Sequence, residues 1–365
     1  MKELTSRQFV IIAIFVILTS KFVTMPSIIF ASASTDSIFS ILLGLLVELL
    51  LIFLITIVIK RNQDTNLFNL LKRKFTIVGA LFIMLILFSY ATVRLMYCYQ
   101  ELFSFFTELL YDEFPPLFFA IPTFFVTGYI AYKGARSLGR TFEILLPFII
   151  VGTIIALISN IDFLSFDTNL PYFEHGLNPM LDGFLRSGFY FGNSLALLFF
   201  VGKVKIVEPK NFVKKTMIAL SITAGIILIA CFLFYDVFGM SMQYTIFALT
   251  EYSQYDPFIL ELQRLVWLSA IVDITKLFCS TAVFVYCLGQ AGKQVFNSKT
   301  TLFPIMIAFL IIYSLATILH YDLEEMFMLV RNYFSFITIG IIAISLIICI
   351  ILSIKRRKNE QKFIQ

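Results

Sequence analysis

Of the 365 residues, 59% are hydrophobic and only 14% are charged, a composition too apolar for one soluble core, which excludes an ordinary water-soluble domain. The net charge of +5 comes from 28 Lys and Arg against 23 Asp and Glu, but the basic residues are scattered between apolar runs without aromatic interleaving, which argues against a nucleic-acid face. A transmembrane barrel is excluded too, because runs such as Ser40 to Ile59 are continuously apolar with no period of two.

A helix needs about 20 apolar residues to cross roughly 30 Å of hydrocarbon. Ten windows meet that need: 8–30, 38–59, 75–99, 115–132, 142–159, 186–202, 216–235, 264–288, 302–319 and 333–354. The first apolar stretch is too long for a cleavable signal sequence and lacks a small-residue cleavage site, so Met1 to Arg7 is expected to stay cytoplasmic. Inside span one, Leu18-Thr19-Ser20-Lys21 and then Met25-Pro26-Ser27 interrupt the apolar pattern and predict a broken helix. Span two carries Glu48 and is followed by Lys60 to Lys74, which contains the amphipathic stretch Leu67 to Phe75. Arg94 falls late in span three beside Tyr97 and Tyr99, where it is expected to snorkel to outer headgroups. Gly134-Ala135-Arg136 and Gly139-Arg140 turn a loop. Span six opens with Gly188-Phe189-Tyr190-Phe191-Gly192-Asn193-Ser194 and predicts a second break, with unwinding from Phe189 to Ser194. Asp236 to Gln263, with Phe258 and Leu260, is expected to be a long outer loop matching the one after span two. Span eight starts at Arg264, expected as an interface anchor, and holds Asp273 and Lys276 three residues apart on one helical face.

Orientation follows from Lys and Arg, which short cytoplasmic loops retain. The segments 1–7, 60–74, 133–140, 203–215, 293–299 and 355–365 hold 22 of the 28, and the opposite loops and their edges hold 16 of the 23 acids. Both termini are therefore expected in the cytoplasm. Because five is odd, two sets of five spans enter from opposite sides, the arithmetic of an inverted repeat. Repeat one is assigned to 1–159, an outer connecting loop to 160–185, repeat two to 186–354 and a cytoplasmic tail to 355–365.

Lys21, Glu48, Asp273 and Lys276 fall near mid-depth, where each costs roughly 2.5–3.5 kcal/mol unpaired. Two pairs, Lys21 with Glu48 and Asp273 with Lys276, are expected to face the bundle interior. They are either structural or responsive to a proton, an ion or a zwitterionic ligand, and the second role is preferred for a midplane charge. Candidate ligand-binding residues are Thr19, Ser20, Lys21, Tyr190, Gly192, Asn193 and Ser194; candidate coupling charges are Glu48, Asp273 and Lys276. The 43 phenylalanines are read as packing or lipid-facing. Cys98, Cys231, Cys279, Cys287 and Cys349 all lie in spans and are expected as free thiols. His175 and His320 stand alone and form no metal ligand set. With no phosphate loop, nucleophile elbow or acid/base pair, the chain is read as a non-enzyme with no cofactor.

The opening Leu4-Thr5-Ser6-Arg7-Gln8-Phe9, the stretch Ala135 to Arg140 running into Glu143-Ile144-Leu145-Leu146-Pro147, Pro171 to Leu185, and Leu262-Gln263-Arg264-Leu265 with Ile274-Thr275-Lys276 together resemble a family. It is that of spore germination proteins of the GerAB type, the B subunits of germinant receptors, within the amino acid/polyamine/organocation transporter superfamily. The resemblance covers nearly the full chain. It implies an all-α integral membrane protein built as a five-plus-five inverted repeat of the LeuT/APC kind, with helices one and six broken. It also implies a protein of the spore inner membrane that senses a small nutrient, often an amino acid, together with A-type and C-type receptor subunits and membrane lipid. Phe191-Gly192-Asn193 departs from the family's Phe-Gly-Glu pattern and loses a carboxylate. Lys21 and Glu48 are also departures. An ion-coupled secondary transporter of amino acids or amines is the alternative, and a purely structural membrane partner would leave the midplane charges unexplained.

Overall fold

Thr5 starts the first helix with a capping box, its Oγ1 accepting from the Gln8 N–H at 3.3 Å while its own N–H donates to Gln8 Oε1 at 3.2 Å. α1 (Ser6–Leu18) then stops, residues 19–24 are turns, and α2 (Met25–Ala33) resumes the path with Pro26 in its first turn. Pro26, in the first turn of α2, keeps the two pieces from joining there. Having no N–H, Pro26 cannot bond the Phe22 carbonyl four residues back. That carbonyl accepts instead from the Leu249 N–H at 3.0 Å, and the Val23 carbonyl from Ala248 at 3.1 Å, both on α11 (Ala248–Tyr252).

The computed structural model describes residues 4–109, 116–161, 164, 172–174, 176–254, 263–307, 309–310 and 323–354. His175, His320, Phe258, Leu260, the 355–365 tail and the side chain of Arg264 lie outside what is described. The remaining spans are α3 (Ser37–Arg61), α5 (Ile77–Leu109), α6 (Pro116–Lys133), α7 (Ala135–Ile158), α10 (Pro209–Phe238), α12 (Gln263–Val295) and Ser335–Ser353. The ninth expected span is helical at 302–307 and 309–310, and the rest of it falls outside the described residues. Six helical stretches among the described residues are long and apolar enough to cross a bilayer unaided. Separate pieces of the broken spans are not, since α1 has 13 residues and α9 (Gly188–Phe191) has 4. Burial is arranged for lipid: on α3, Leu42, Leu46 and Leu50 point outward and Ile41, Leu45 and Glu48 inward.

Three expectations about boundaries change. Span six is not unwound from Phe189 to Ser194. It forms α8 (Asn178–Arg186) and the single turn α9, breaks at Gly192, and continues as a 3-10 helix over Asn193–Phe200. Close packing requires the glycine, because a Cβ there would lie 2.4 Å from Thr338 Cγ2 and 2.7 Å from Tyr90 Oη. The segment from Asp236 is not all loop, since α10 runs to Phe238 and is followed by a 3-10 helix over Gly239–Tyr244 and by α11. Span three is far longer than its apolar window, at 33 residues. At 1.5 Å per residue that is about 50 Å, well over the hydrocarbon thickness, so its middle falls near residue 93. The amphipathic stretch forms α4 (Leu67–Lys74).

The start of span one and the end of span six are joined. A two-stranded parallel sheet pairs Leu4 with Val204 and Thr5 with Lys205, so the start of span one and the end of span six share hydrogen bonds. Gly202, at φ 74, lets the chain pass against the Thr65 carbonyl, which a Cβ would approach to 2.4 Å. Beside this end a cleft of about 620 Å³ opens between α1, α7 and α10, walled by Val10, Ile11, Leu146 and Phe212. On its rim Lys215 and Asn211 hydrogen-bond to the exposed Glu208 and hold its carboxyl below the usual range.

Candidate functional site

The break at residues 19–24 is where the fold concentrates its charge. Irregular backbone at membrane depth is tolerated only where its polar groups are met by protein or cavity. Between them the residues of the break reach span six, α3, α5 and α11. The Thr19 carbonyl accepts from Asn193 Nδ2 at 3.3 Å, while the Thr19 hydroxyl folds back to the Phe15 carbonyl. Lys21 Nζ lies 2.9 Å from Glu48 Oε2, donates to the Tyr190 carbonyl at 3.0 Å and sits 5.2 Å from the Phe191 ring centroid. Lys21 and Glu48 are both fully buried. The contact is close in distance but off hydrogen-bond alignment, so neither Glu48 oxygen has an aligned donor among the described residues.

On the other side of the break, Lys276 Nζ donates to Asp273 Oδ1 at 3.0 Å, Thr250 donates to Asp273 Oδ2 at 3.1 Å, and the lysine stands 4.4 Å from the centroid of Phe22. Thr19 with Asn193, Lys21 with Glu48 and Tyr190, and Lys276 with Asp273 and Phe22 thus meet at the break, while Gly192 packs against Thr338 and Tyr90. Among the described residues Asn193 Oδ1, Ser194 Oγ and Tyr90 Oη are buried without a hydrogen-bond partner.

Two further charges belong to this core and were not expected in it. Arg94 does not snorkel. It is fully buried, its Nη2 donates to Ser20 Oγ at 3.1 Å, and its Cζ lies 4.5 Å from the centroid of Phe189, 5.3 Å from Tyr97, 5.6 Å from Tyr190 and 5.8 Å from Phe284. The cause is the length of α5: residue 94 is at the middle of that helix, not near its end. Glu101, also fully buried, accepts from Ser20 Oγ at 2.6 Å and from Thr24 Oγ1 at 2.5 Å. Tyr97 and Tyr190 close the network, their hydroxyls 2.5 Å apart, and Tyr97 donates to Thr24 at 3.0 Å. Among the described residues this core therefore holds three basic and three acidic side chains. Phenylalanines read only as packing, Phe189 above all, contact the buried cations.

Ser20 is the joint of this network. Its hydroxyl donates to Glu101 and accepts from Arg94, and its backbone stands at φ 59, the left-handed region in which a non-glycine residue costs about 1–2 kcal/mol. Ser20→Ala and Ser20→Gly both remove the hydroxyl, but only glycine relieves the backbone. Ser20→Ala is therefore expected to be about 1 kcal/mol less stable than Ser20→Gly, read from thermal midpoints of the purified proteins. Equal midpoints would show that the backbone is unstrained there.

The sequence profile of the spore germination protein family matches residues 3–325. Comparison with curated proteins returns no match. Among solved structures, the chain resembles MhsT in complex with L-phenylalanine, with a TM-score of 0.68 at 14% identity over 92% of this chain and 88% of that one. It also resembles a manganese transporter of Eremococcus coleocola. A histidine-to-alanine mutant of that protein gives a TM-score of 0.58 at 12% identity, over 95% of this chain and 78% of that one. A glutamate-to-alanine mutant gives 0.57 at 13% identity over the same shares. At such identities the likeness is one of fold, and that fold is of the transporter type.

Proposed function

This chain belongs to the spore germination protein family, and from that premise we propose that it is the nutrient-sensing membrane subunit of a spore germinant receptor, binding a small nutrient, in the first instance an amino acid, at the break of span one. The observation that carries the proposal is the convergence of Lys21, Glu48, Arg94, Glu101, Asp273 and Lys276 on residues 19–24. Structure alone would be served as well by apolar packing, since replacing a buried ion pair with apolar residues is often neutral or stabilising. Six buried charges around open backbone suit a site that recognises a charged group.

In this proposal Thr19, Ser20, Lys21, Tyr190, Gly192, Asn193 and Ser194 face the ligand, and Glu48, Asp273 and Lys276 respond to it. The chain works with A-type and C-type receptor subunits in the spore inner membrane, both termini in the cytoplasm and its two repeats of five spans on either side of the 160–185 connection. Its role is recognition, without bond chemistry. An ion-coupled transporter of amino acids or amines is the second reading, favoured by the fold shared with MhsT.

The test is a titration of the purified full-length protein with amino acids, followed by thermal midpoint. A true ligand at 100 times its Kd should add about 2.7 kcal/mol of apparent stability. Absence of stabilisation by any of them would overturn the site. Uptake of the same labelled compound into vesicles would favour the transporter, and neighbouring genes for A-type and C-type subunits the receptor.

A further inference from the structure

Arg94 differs from the other two buried cations in what its nitrogens hold. Lys21 has Glu48 at 2.9 Å and the Tyr190 carbonyl at 3.0 Å, and Lys276 has Asp273 at 3.0 Å. Arg94 has one hydrogen bond, from Nη2 to Ser20, while Nε and Nη1 have no partner among the described residues. Glu101 does not pair with it directly, because its two oxygens are directed to the Ser20 and Thr24 hydroxyls. The charge is instead supported by the rings of Phe189, Tyr97, Tyr190 and Phe284, which attract a cation without using any N–H.

Guanidinium geometry fixes what this leaves open. The two Nη2 hydrogens point one toward the Nε edge and one toward the Nη1 edge, and Ser20 takes one of them. Whichever it takes, the opposite edge keeps a complete pair of parallel N–H donors, the fork that matches a carboxylate bidentately. We propose that Arg94 is the carboxylate anchor of the ligand site, so that the nutrient is a small carboxylate-bearing molecule held where spans one, three, six and eight meet. This rests on the break being a ligand site. It assigns the carboxylate to Arg94 rather than to Lys21, whose ammonium already has two oxygen partners.

The consequence is discrimination against ligands that lack the carboxylate, because a buried fork left unpaired is costly. The experiment uses the full-length protein in lipid nanodiscs and three sets of probes: common amino acids, their primary amides, and the matching carboxylic acids without the amine. An amino acid that stabilises the wild type should bind on the order of 100-fold more tightly than its amide. Arg94→Gln should bind the amino acid about as weakly as the wild type binds the amide, and Arg94→Lys, which keeps the charge and loses the fork, should fall between. Binding of an amino acid and its amide alike by the wild type overturns the anchor even if Arg94→Gln fails to fold. So does an amino acid whose affinity is unchanged in Arg94→Gln; both results leave the ligand site standing. A wild type stabilised by none of the three sets overturns the site and the anchor together.

Discussion

Lys21→Met is expected to lower stability by about 3–5 kcal/mol, because it removes the ion-pair partner 2.9 Å from a fully buried carboxylate. Glu48→Gln should cost less, since the lysine keeps the Tyr190 carbonyl at 3.0 Å and gains a neutral amide oxygen. The combined Lys21→Met, Glu48→Gln protein should then be more stable than Lys21→Met alone, with a coupling energy of about 1–3 kcal/mol. Unfolding of the four proteins in one detergent measures the cycle. Additive losses would show that the 2.9 Å contact contributes no pairwise energy and would leave the lysine held by the Tyr190 carbonyl alone.

How far the core could be read from sequence depends on how each charge is framed. Lys21 stands out because Thr19, Ser20 and Pro26 interrupt an otherwise apolar run, and a proline that strips the Phe22 carbonyl of its bond marks a break in the helix itself. Glu48 is a single acid in a long apolar helix, so its need for a partner is plain. Asp273 and Lys276 are three apart and pair on their own helix. Arg94 and Glu101 were missed for one reason. A hydropathy window ends where polar residues begin, and it closed span three at residue 99, which turned a mid-helix arginine into an interfacial one and placed Glu101 outside the membrane. The signal that could have found them was the helical spacing of Tyr90, Arg94, Tyr97 and Glu101, a polar stripe along one face of an apolar helix. The single turn between Gly188 and Phe191 could not be foreseen either, because its flanking glycines pack against Ile339 and Ser335 on one side and Tyr90 and Thr338 on the other, contacts that local propensity does not report.

Glu101→Leu is expected to match Lys21→Met in damage, at about 3–5 kcal/mol, although no cation touches this carboxylate directly. It would remove the acceptor of the Ser20 and Thr24 hydroxyls, which the structure places at 2.6 and 2.5 Å, and leave those hydroxyls without the oxygens that orient them. It would also leave Arg94, buried at mid-membrane, as an uncompensated cation in a core otherwise balanced three against three. Glu101→Gln separates these two losses, because it keeps one acceptor oxygen while removing the charge. Its loss should be roughly half that of the leucine variant if charge and hydrogen bonding contribute comparably. Adding Arg94→Leu to Glu101→Leu restores neutrality and should recover part of the stability through the Ser20 relay, by about 1–2 kcal/mol. Thermal unfolding of the single and double variants reads both effects. A Glu101→Leu protein with the wild-type midpoint would mean that lipid or water reaches this carboxylate and that the six charges do not form one balanced core.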